Sequence, residues 1–180
     1  RSIIQELESY TLRRGVTPLA VAEAQAPGAG HPAAPGLLEA AKGLIVQIFN
    51  ATCLVPSQQI SPDTLQPYAS YEVLGQKTHF TQTGTGANVS FEDISRIVVR
   101  VDRDFCRWLE QGLHILVFDA SAPSAGASEE QIGLIGELRV PLLQLLSSRT
   151  ARVQGNYPLH RPGTQTPVGY IEIAIGWQDD

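Results

Sequence analysis

Cysteine is scarce in this chain of 180 residues, which contains only Cys53 and Cys106. Two cysteines are too few for a disulfide framework, and they lack the paired spacing of a zinc site. The composition therefore favours a reducing compartment, with both cysteines as small apolar side chains of the interior. No apolar run approaches the ~18 residues that span a bilayer, and no signal-like segment opens the chain.

Basic residues are also few. Thirteen Lys and Arg stand against eighteen Asp and Glu, giving a net charge of -5. This balance disfavours non-specific binding to nucleic acid or to an anionic membrane, so we expect no nucleic-acid partner and at most weak membrane contact. With 43% hydrophobic and 17% charged residues, the chain suits one globular domain with some extra sequence. Because it begins at Arg1 rather than Met, we expect a piece of a longer protein.

Local motifs for catalysis and phosphate binding are missing too. The sequence has no G-x-S-x-G, no H-E-x-x-H and no P-loop. The segment Gly84-Thr85-Gly86 lacks the following helix and basic residue of a phosphate loop, so we interpret it as a hairpin loop. The histidines His79, His114 and His160 are dispersed and predict structural roles rather than metal binding. We therefore predict no catalytic residue, no cofactor and no metal, and that the chain is not an enzyme.

The chain divides into three parts by composition. Residues 1–15 form a predicted amphipathic helix, in which Ile3 and Leu7 share a face. This helix is either the end of a coiled coil or a helix that packs on a neighbouring domain. Residues 16–36 are a predicted flexible linker, since they include a run of Ala, Pro and Gly that buries little apolar surface. Residues 37–180 are the predicted globular domain.

In the globular part, apolar residues recur with a period of two, which is typical of β-strands. Eight short strands without βαβ alternation predict an all-β, antiparallel sandwich. The predicted strands are Leu44–Phe49, Tyr68–Leu74, Lys77–Gln82, Ser95–Val101, Leu113–Phe118, Leu134–Val140, Ala151–Leu159 and Val168–Trp177.

Two short connecting helices interrupt these strands. Asp102 is a predicted N-cap, and Gly112 ends that helix. Pro141 opens the second helix at a position where its missing N–H costs nothing. Between the helices, two apolar strands flank a loop that begins with Asp119.

Four segments in this order, YASYEVLG, NVSFED, LHILVFDA and LIGELRVPLL, resemble a C2 domain over residues 37–178. The step from Asn88 to Phe91 is similar to a turn of that family, although Val89 replaces the proline. The resemblance implies an eight-stranded antiparallel C2-type β-sandwich.

Calcium-binding C2 domains use about five aspartates, because a hard cation requires many oxygen ligands. The matching positions here are Gln58, Gln66, Asp119, Ser121 and Gly133. Only Asp119 is a carboxylate, and Asp63, Glu129 and Glu130 lie in these loops at positions that do not match. The resemblance therefore implies a C2-like domain that binds no calcium.

A closer resemblance is to the C2 domains of the ciliary scaffold family that interacts with the retinitis pigmentosa GTPase regulator at the transition zone. It is carried by the helix Asp102–Leu109 leading into the next strand, and by the ending Tyr157-Pro158-Leu159, Gly163 and Pro167-x-Gly169-Tyr170-Ile171-Glu172. The resemblance implies a calcium-independent protein–protein interaction module of a ciliary, centriolar or axonemal scaffold. Its expected partners are ciliary or cytoskeletal proteins on the cytoplasmic side of the membrane, beside a coiled coil.

Two modes of binding remain open at this point. A partner protein is expected at an exposed strand edge or a sheet face. The alternative function is peripheral binding to phosphoinositide membranes through basic residues on neighbouring strands, of which Arg96 and Arg100 share a face by alternation. The predicted interaction surface consists of Lys77, His79, Arg96 and Arg100.

Overall fold

The computed structural model describes residues 41–57, 60–122, 133–148 and 150–178, and the predicted N-terminal helix and linker lie outside these ranges. Eight β-strands make up most of the described chain. They are β1 (Lys42–Thr52), β2 (Pro67–Tyr71), β3 (His79–Phe80), β4 (Val89–Val99), β5 (Leu113–Asp119), β6 (Leu134–Val140), β7 (Arg152–His160) and β8 (Pro167–Trp177). One α-helix, α1 (Arg103–Gln111), and two 3-10 turns, Pro62–Thr64 and Leu143–Leu146, connect them. None of the helices in the described ranges is long and apolar enough to cross a membrane.

The strands follow the order β3-β2-β5-β6-β7-β8-β1-β4, and every pairing is antiparallel. Strands β6 and β7 meet through a single pair, Glu137 with His160, so the order divides into two four-stranded sheets. The predicted eight-stranded antiparallel sandwich is confirmed. Because β3 and β4 stand at the two ends of the order, each is an edge strand of its sheet.

The core lies between the inner faces of the two sheets. Alternate residues of β5 and β8 are fully buried, as the period of two predicts. These residues are Leu113, Ile115, Val117, Ile171, Ile173 and Ile175. Cys106 also lies in the interior, whereas Cys53 is exposed, so the prediction of two buried cysteines is wrong for Cys53. Cys53 leaves the end of β1 with a φ of 54°, which turns its side chain out of the strand pattern.

Helix α1 crosses one end of the sandwich and is capped as predicted. The Asp102 side chain accepts a hydrogen bond from the Phe105 N–H at 2.9 Å, and Phe105 and Leu109 are buried. Gly112 ends the helix with a φ of 77° and leads into β5. The second predicted helix is only the 3-10 turn Leu143–Leu146, in which Leu145 alone is buried.

Strand boundaries differ most around β2, β3 and β4. Strand β2 ends at Tyr71, because the chain turns at Leu74 and Gly75 with positive φ angles. The predicted hairpin at Gly84–Gly86 is wrong, since β3 and β4 belong to different sheets and this loop crosses between them. The Gly84 N–H donates instead to the carbonyl of Pro67, at 2.8 Å.

Replacing Gly112 by alanine should lower the free energy of unfolding by about 3 kcal/mol, because its backbone angles favour glycine. The added Cβ would also lie 2.5 Å from the carbonyl oxygen of Val140. Gly163 is a matched control: its φ is 75°, but a Cβ there meets nothing within 4 Å, so Gly163→Ala should cost only about 1 kcal/mol. Urea denaturation measures both losses, and equal losses would contradict a role for the Val140 contact.

Candidate functional site at a free strand edge

Three loops meet at one end of the sandwich, where the resemblance places calcium ligands. The β1–β2 loop is hydrogen-bonded to both of its neighbours. The Gly86 N–H donates to the Leu65 carbonyl at 2.8 Å, and the Ala120 N–H donates to the Gln66 carbonyl at 2.9 Å. These two hydrogen bonds hold the loops together around Asp119.

Asp119 is buried, and its carboxylate is already engaged by the protein. Oδ1 accepts hydrogen bonds from the Gln66 N–H at 2.9 Å, the Ser121 N–H at 3.0 Å and the Ser121 hydroxyl at 2.7 Å. In the part of the chain that the structure describes, no cluster of three or more His, Cys, Asp or Glu side chains is placed to hold a metal. Gln58, Glu129 and Glu130 lie outside that part, so calcium independence stays a prediction.

A cleft of about 410 Å³ opens elsewhere, between the edge strands β3 and β4. It is lined by Tyr71, Val73, Gln76, Lys77, Thr78, His79, Phe80, Ser95 and Ile97. One hydrogen bond and one longer polar contact cross this cleft to β4. His79 Nε2 donates to Asp93 Oδ2 at 2.8 Å, and Gln76 Nε2 approaches the Val98 carbonyl at 3.5 Å. The cleft is therefore bounded by both sheets.

Tyr71 is the buried aromatic residue of this cleft. Its hydroxyl makes no hydrogen bond of ordinary geometry within the described residues, and its ring lies 5.0 Å from the His79 ring. Burial raises the pKa of the Tyr71 hydroxyl well above its ordinary value. The negative charge of Asp93 raises this pKa further, and the polar side chain of Ser95 lowers it. Tyr71 therefore stays neutral, and Lys77 provides an exposed positive charge at the same cleft.

Within the described residues, β4 pairs with β1 along one edge, and no strand pairs with its other edge, which lies beside the cleft. In antiparallel strands, successive residues direct their N–H and C=O groups to opposite sides. The Gly43 carbonyl accepts the Gln178 N–H on the β8 side of β1, so Gly43 turns its backbone away from Val98, its partner in β4. Val98 therefore directs its own groups outward, as its contact with Gln76 also indicates. By alternation, Ile94 and Arg96 do the same.

The side chains of these three residues lie on the outer face of β4. Ile94 is 54% exposed and Val98 is 70% exposed, with the exposed Arg96 between them. The regular edge ends near Glu92, whose φ is 47°. At this point the register between β1 and β4 also shifts. Residues 94–98 thus form a short, regular strand edge with apolar side chains around one cation. We call this segment the β4 edge.

The predicted interaction surface separates into two parts. Lys77 and His79 line the cleft, and His79 is bonded to Asp93. Arg96 projects from the opposite face of β4, since it alternates with the cleft residues Ser95 and Ile97. Arg100 lies just beyond the end of β4 and is exposed. The structure does not bring the four residues into one patch.

Sequence reasoning missed Tyr71, Ile94 and Val98. The signal for the last two was present, because the segment from Ile94 to Val99 places apolar residues on both faces of a strand. Such a pattern is typical of a central strand, but here it belongs to an edge strand whose outer face is open. Only the long-range strand order distinguishes the two cases.

Comparison with solved structures shows the fold. No family model and no curated protein sequence matches the chain. A C2 domain of plant Extended Synaptotagmin 1 is similar with a TM-score of 0.57 at 12% identity, covering 77% of this chain and 95% of that one. CC2D1B is similar with a TM-score of 0.57 at 17% identity, covering 95% of this chain and 68% of that one. The chain therefore has the fold of a C2 domain, an eight-stranded antiparallel β-sandwich.

One similar structure contradicts the prediction that the chain is not an enzyme. Human GIVD cytosolic phospholipase A2 matches with a TM-score of 0.53 at 10% identity, over 78% of this chain and 17% of that chain. The same fold thus forms a small part of an enzyme. Missing catalytic motifs in a C2-type domain do not exclude an enzyme chain, because the activity of such a chain can reside in another domain. The prediction is wrong for that reason.

Replacing Asp119 by alanine should lower the free energy of unfolding by about 3 kcal/mol, because three donors, including the part-buried Gln66 N–H, lose their acceptor. Asp119→Asn keeps an acceptor oxygen and should cost only about 1 kcal/mol. The exposed Asp63 is the control, and Asp63→Ala should change stability by less than about 0.5 kcal/mol. Urea denaturation without calcium tests this order, and an unaffected Asp119→Ala variant would contradict it.

Proposed function

We propose that this C2-type domain is a calcium-independent protein–protein interaction module of a ciliary, centriolar or axonemal scaffold. The observation that carries the proposal is the β4 edge, whose outward backbone donors and acceptors pair with no other strand within the described residues and lie beside exposed apolar side chains. An edge of this kind is a ready template for pairing with another chain. A strand edge and a sheet face were both open as the place where a partner protein binds, and the proposal favours the strand edge.

Two further observations support the proposal. The Asp119 carboxylate, which matches the family's calcium ligands, instead accepts hydrogen bonds that join two loops. Helix α1 leads directly into β5, and Tyr170, Ile171 and Glu172 stand in β8, so the segments that resemble the ciliary scaffold family are parts of the folded domain. Ciliary or cytoskeletal proteins on the cytoplasmic side are the proposed partners.

Immobilised chain should capture proteins of the cilium, centriole or axoneme from extracts of ciliated cells, in equal amounts with calcium and with a chelator. The reason is that the proposed contact uses backbone groups and side chains of the β4 edge rather than a metal. Mass spectrometry of the two eluates measures the identity of the captured proteins and their amounts with and without calcium. Asp119→Asn is the matched control for the loop end and should capture the same proteins.

Two results would contradict the proposal separately. Recovery of lipid-transport or vesicle proteins alone would make the ciliary assignment wrong. A marked rise of the thermal midpoint at micromolar calcium would make calcium independence wrong, because a ligand that binds only the folded state stabilises it.

Peripheral binding to phosphoinositide membranes is the second candidate function. It is favoured by one observation: the exposed Lys77 and the 57% exposed Phe80 lie together at the cleft. A cation beside an exposed aromatic ring is an arrangement that suits a membrane interface. The net charge of -5 acts against such binding.

If the second candidate is correct, Lys77→Glu should lower sedimentation with phosphoinositide vesicles by at least about fivefold, from roughly 1 kcal/mol per basic residue at an anionic surface. Arg103→Glu, an equal charge reversal at an exposed position of α1, is the control and should have a much smaller effect. Arg96→Glu combined with Arg100→Glu tests the other half of the predicted surface. No sedimentation of the unmodified chain at low salt would exclude this function.

A further inference from the structure

Resting on the proposed interaction function, we propose that the β4 edge binds an extended segment of a partner protein as an added antiparallel strand. The segment carries an acidic residue opposite Arg96 and an apolar residue two positions away on each side. The partner is thus specified as an acidic–apolar strand, which goes beyond the statement that the domain binds proteins.

The backbone of the β4 edge is available for this pairing. Ile94, Arg96 and Val98 direct N–H and C=O groups away from β1, as the alternation from Gly43 requires. Within the described ranges, the outward-facing Val98 carbonyl is approached by the exposed Gln76 side chain at 3.5 Å, which is too long for a strong hydrogen bond. An incoming strand replaces that contact at little cost. It gains two hydrogen bonds with the residue opposite Arg96.

The outer side chains define the chemistry of the incoming strand. Arg96 is exposed and forms no ion pair within the described ranges, and its partner in β1 is the apolar Ile45. Directly opposed residues on paired strands have Cβ atoms about 5 Å apart, so opposite charges there are favourable. Ile94 and Val98 flank Arg96 on the same face and favour apolar partners. The required order is apolar, variable, acidic, variable, apolar.

The variable residues of the segment turn to the other face of the extended sheet. On that face Ser95 and Ile97 line the cleft, and the exposed Lys77 lies across it. A second cation therefore faces the variable positions, which favours small polar or acidic residues there. The added strand thus has one cation on each face, Arg96 on one and Lys77 on the other, while the Asp93 carboxylate at the cleft is bonded to His79.

A second copy of this chain fits the β4 edge less well. The regular edge stops near Glu92, where φ is 47°, so a two-fold antiparallel pair that uses all of residues 94–98 is centred on Arg96. That arrangement places the two Arg96 side chains directly opposite each other, and like charges in this position are destabilising. The charge of the edge favours a different, acidic partner.

A displayed library of random peptides selected on the whole chain tests the proposal. Enriched peptides should contain an acidic residue with apolar residues two positions before and after it. Selection on Arg96→Glu should enrich a basic residue at the central position. For one selected peptide, Arg96→Glu should weaken binding by about tenfold, and replacing the peptide's acid by lysine should restore it on this variant. No enrichment, or enrichment without dependence on Arg96, would overturn the proposal.

Backbone pairing is tested apart from charge. Ile94→Pro removes an N–H that points outward and leaves the bonds to β1 in place, which an edge strand tolerates. It should abolish binding, whereas Ile94→Ala keeps the N–H and should only weaken it. Peptides methylated on alternate backbone nitrogens give the same test without altering the protein. Only one of the two alternating sets should lose binding, and equal behaviour of both sets would overturn strand addition.

The outcomes separate this inference from the proposed function. If ciliary partners are captured but Ile94→Pro retains them, the proposed function stands and the strand-addition inference is wrong. If selected peptides pair with the β4 edge as described but no ciliary partner is captured, the inference stands and the ciliary function is wrong. If the chain forms dimers without peptide and Ile94→Pro dissociates them, a second copy is the occupant and the acidic partner is wrong.

Discussion

The antiparallel pairing of β1 with both β8 and β4 is the constraint on which the rest of the structure depends. Because Gly43 gives its carbonyl to Gln178, every second residue of β1 is committed to β8 and the others to β4. That commitment determines which groups of β4 are paired inside the sheet and which face outward. The same alternation turns Ser95 and Ile97 toward the cleft and exposes Arg96. The register of β1 with its two neighbours thus determines both the pairing in this sheet and which backbone groups of β4 face outward.

At the loop end, the Asp119 carboxylate is bonded to groups of the protein itself. A buried aspartate needs hydrogen bonds or a counter-ion, and Asp119 obtains them from Gln66 and Ser121. These are the neighbouring positions at which calcium-binding domains of this fold are expected to have more carboxylates. The donors are the backbone N–H of Gln66 and the N–H and hydroxyl of Ser121, and all three bond the same carboxylate oxygen. The hydrogen bonds of Asp119 therefore join the loops at this end of the sandwich and contribute to the stability of the domain.

The sequence predicts strands well because burial of alternate residues is a local pattern. Strand β6 was predicted with its observed bounds, and the cap at Asp102 was correct because a capping bond joins residues three apart. Strand order is not local. The glycines at Gly84 and Gly86 indicate a turn, but they cannot tell whether the chain returns in the same sheet or crosses to the other. The predicted basic surface combined Lys77 and His79 with Arg96 because the sequence does not show which face of β4 borders the cleft.

The sequence of the β4 edge shows why it stays available without being a hazard. A long, flat, apolar edge pairs indiscriminately with other chains, and proteins limit this with charges and irregularities on the edge. Here Arg96 interrupts the apolar pair of Ile94 and Val98, and the φ of Glu92 ends the regular strand. Both features shorten the usable edge and raise the cost of pairing with a second copy. An acidic strand would meet no like charge at Arg96, so in the proposed binding mode the residue that disfavours self-pairing also selects the partner.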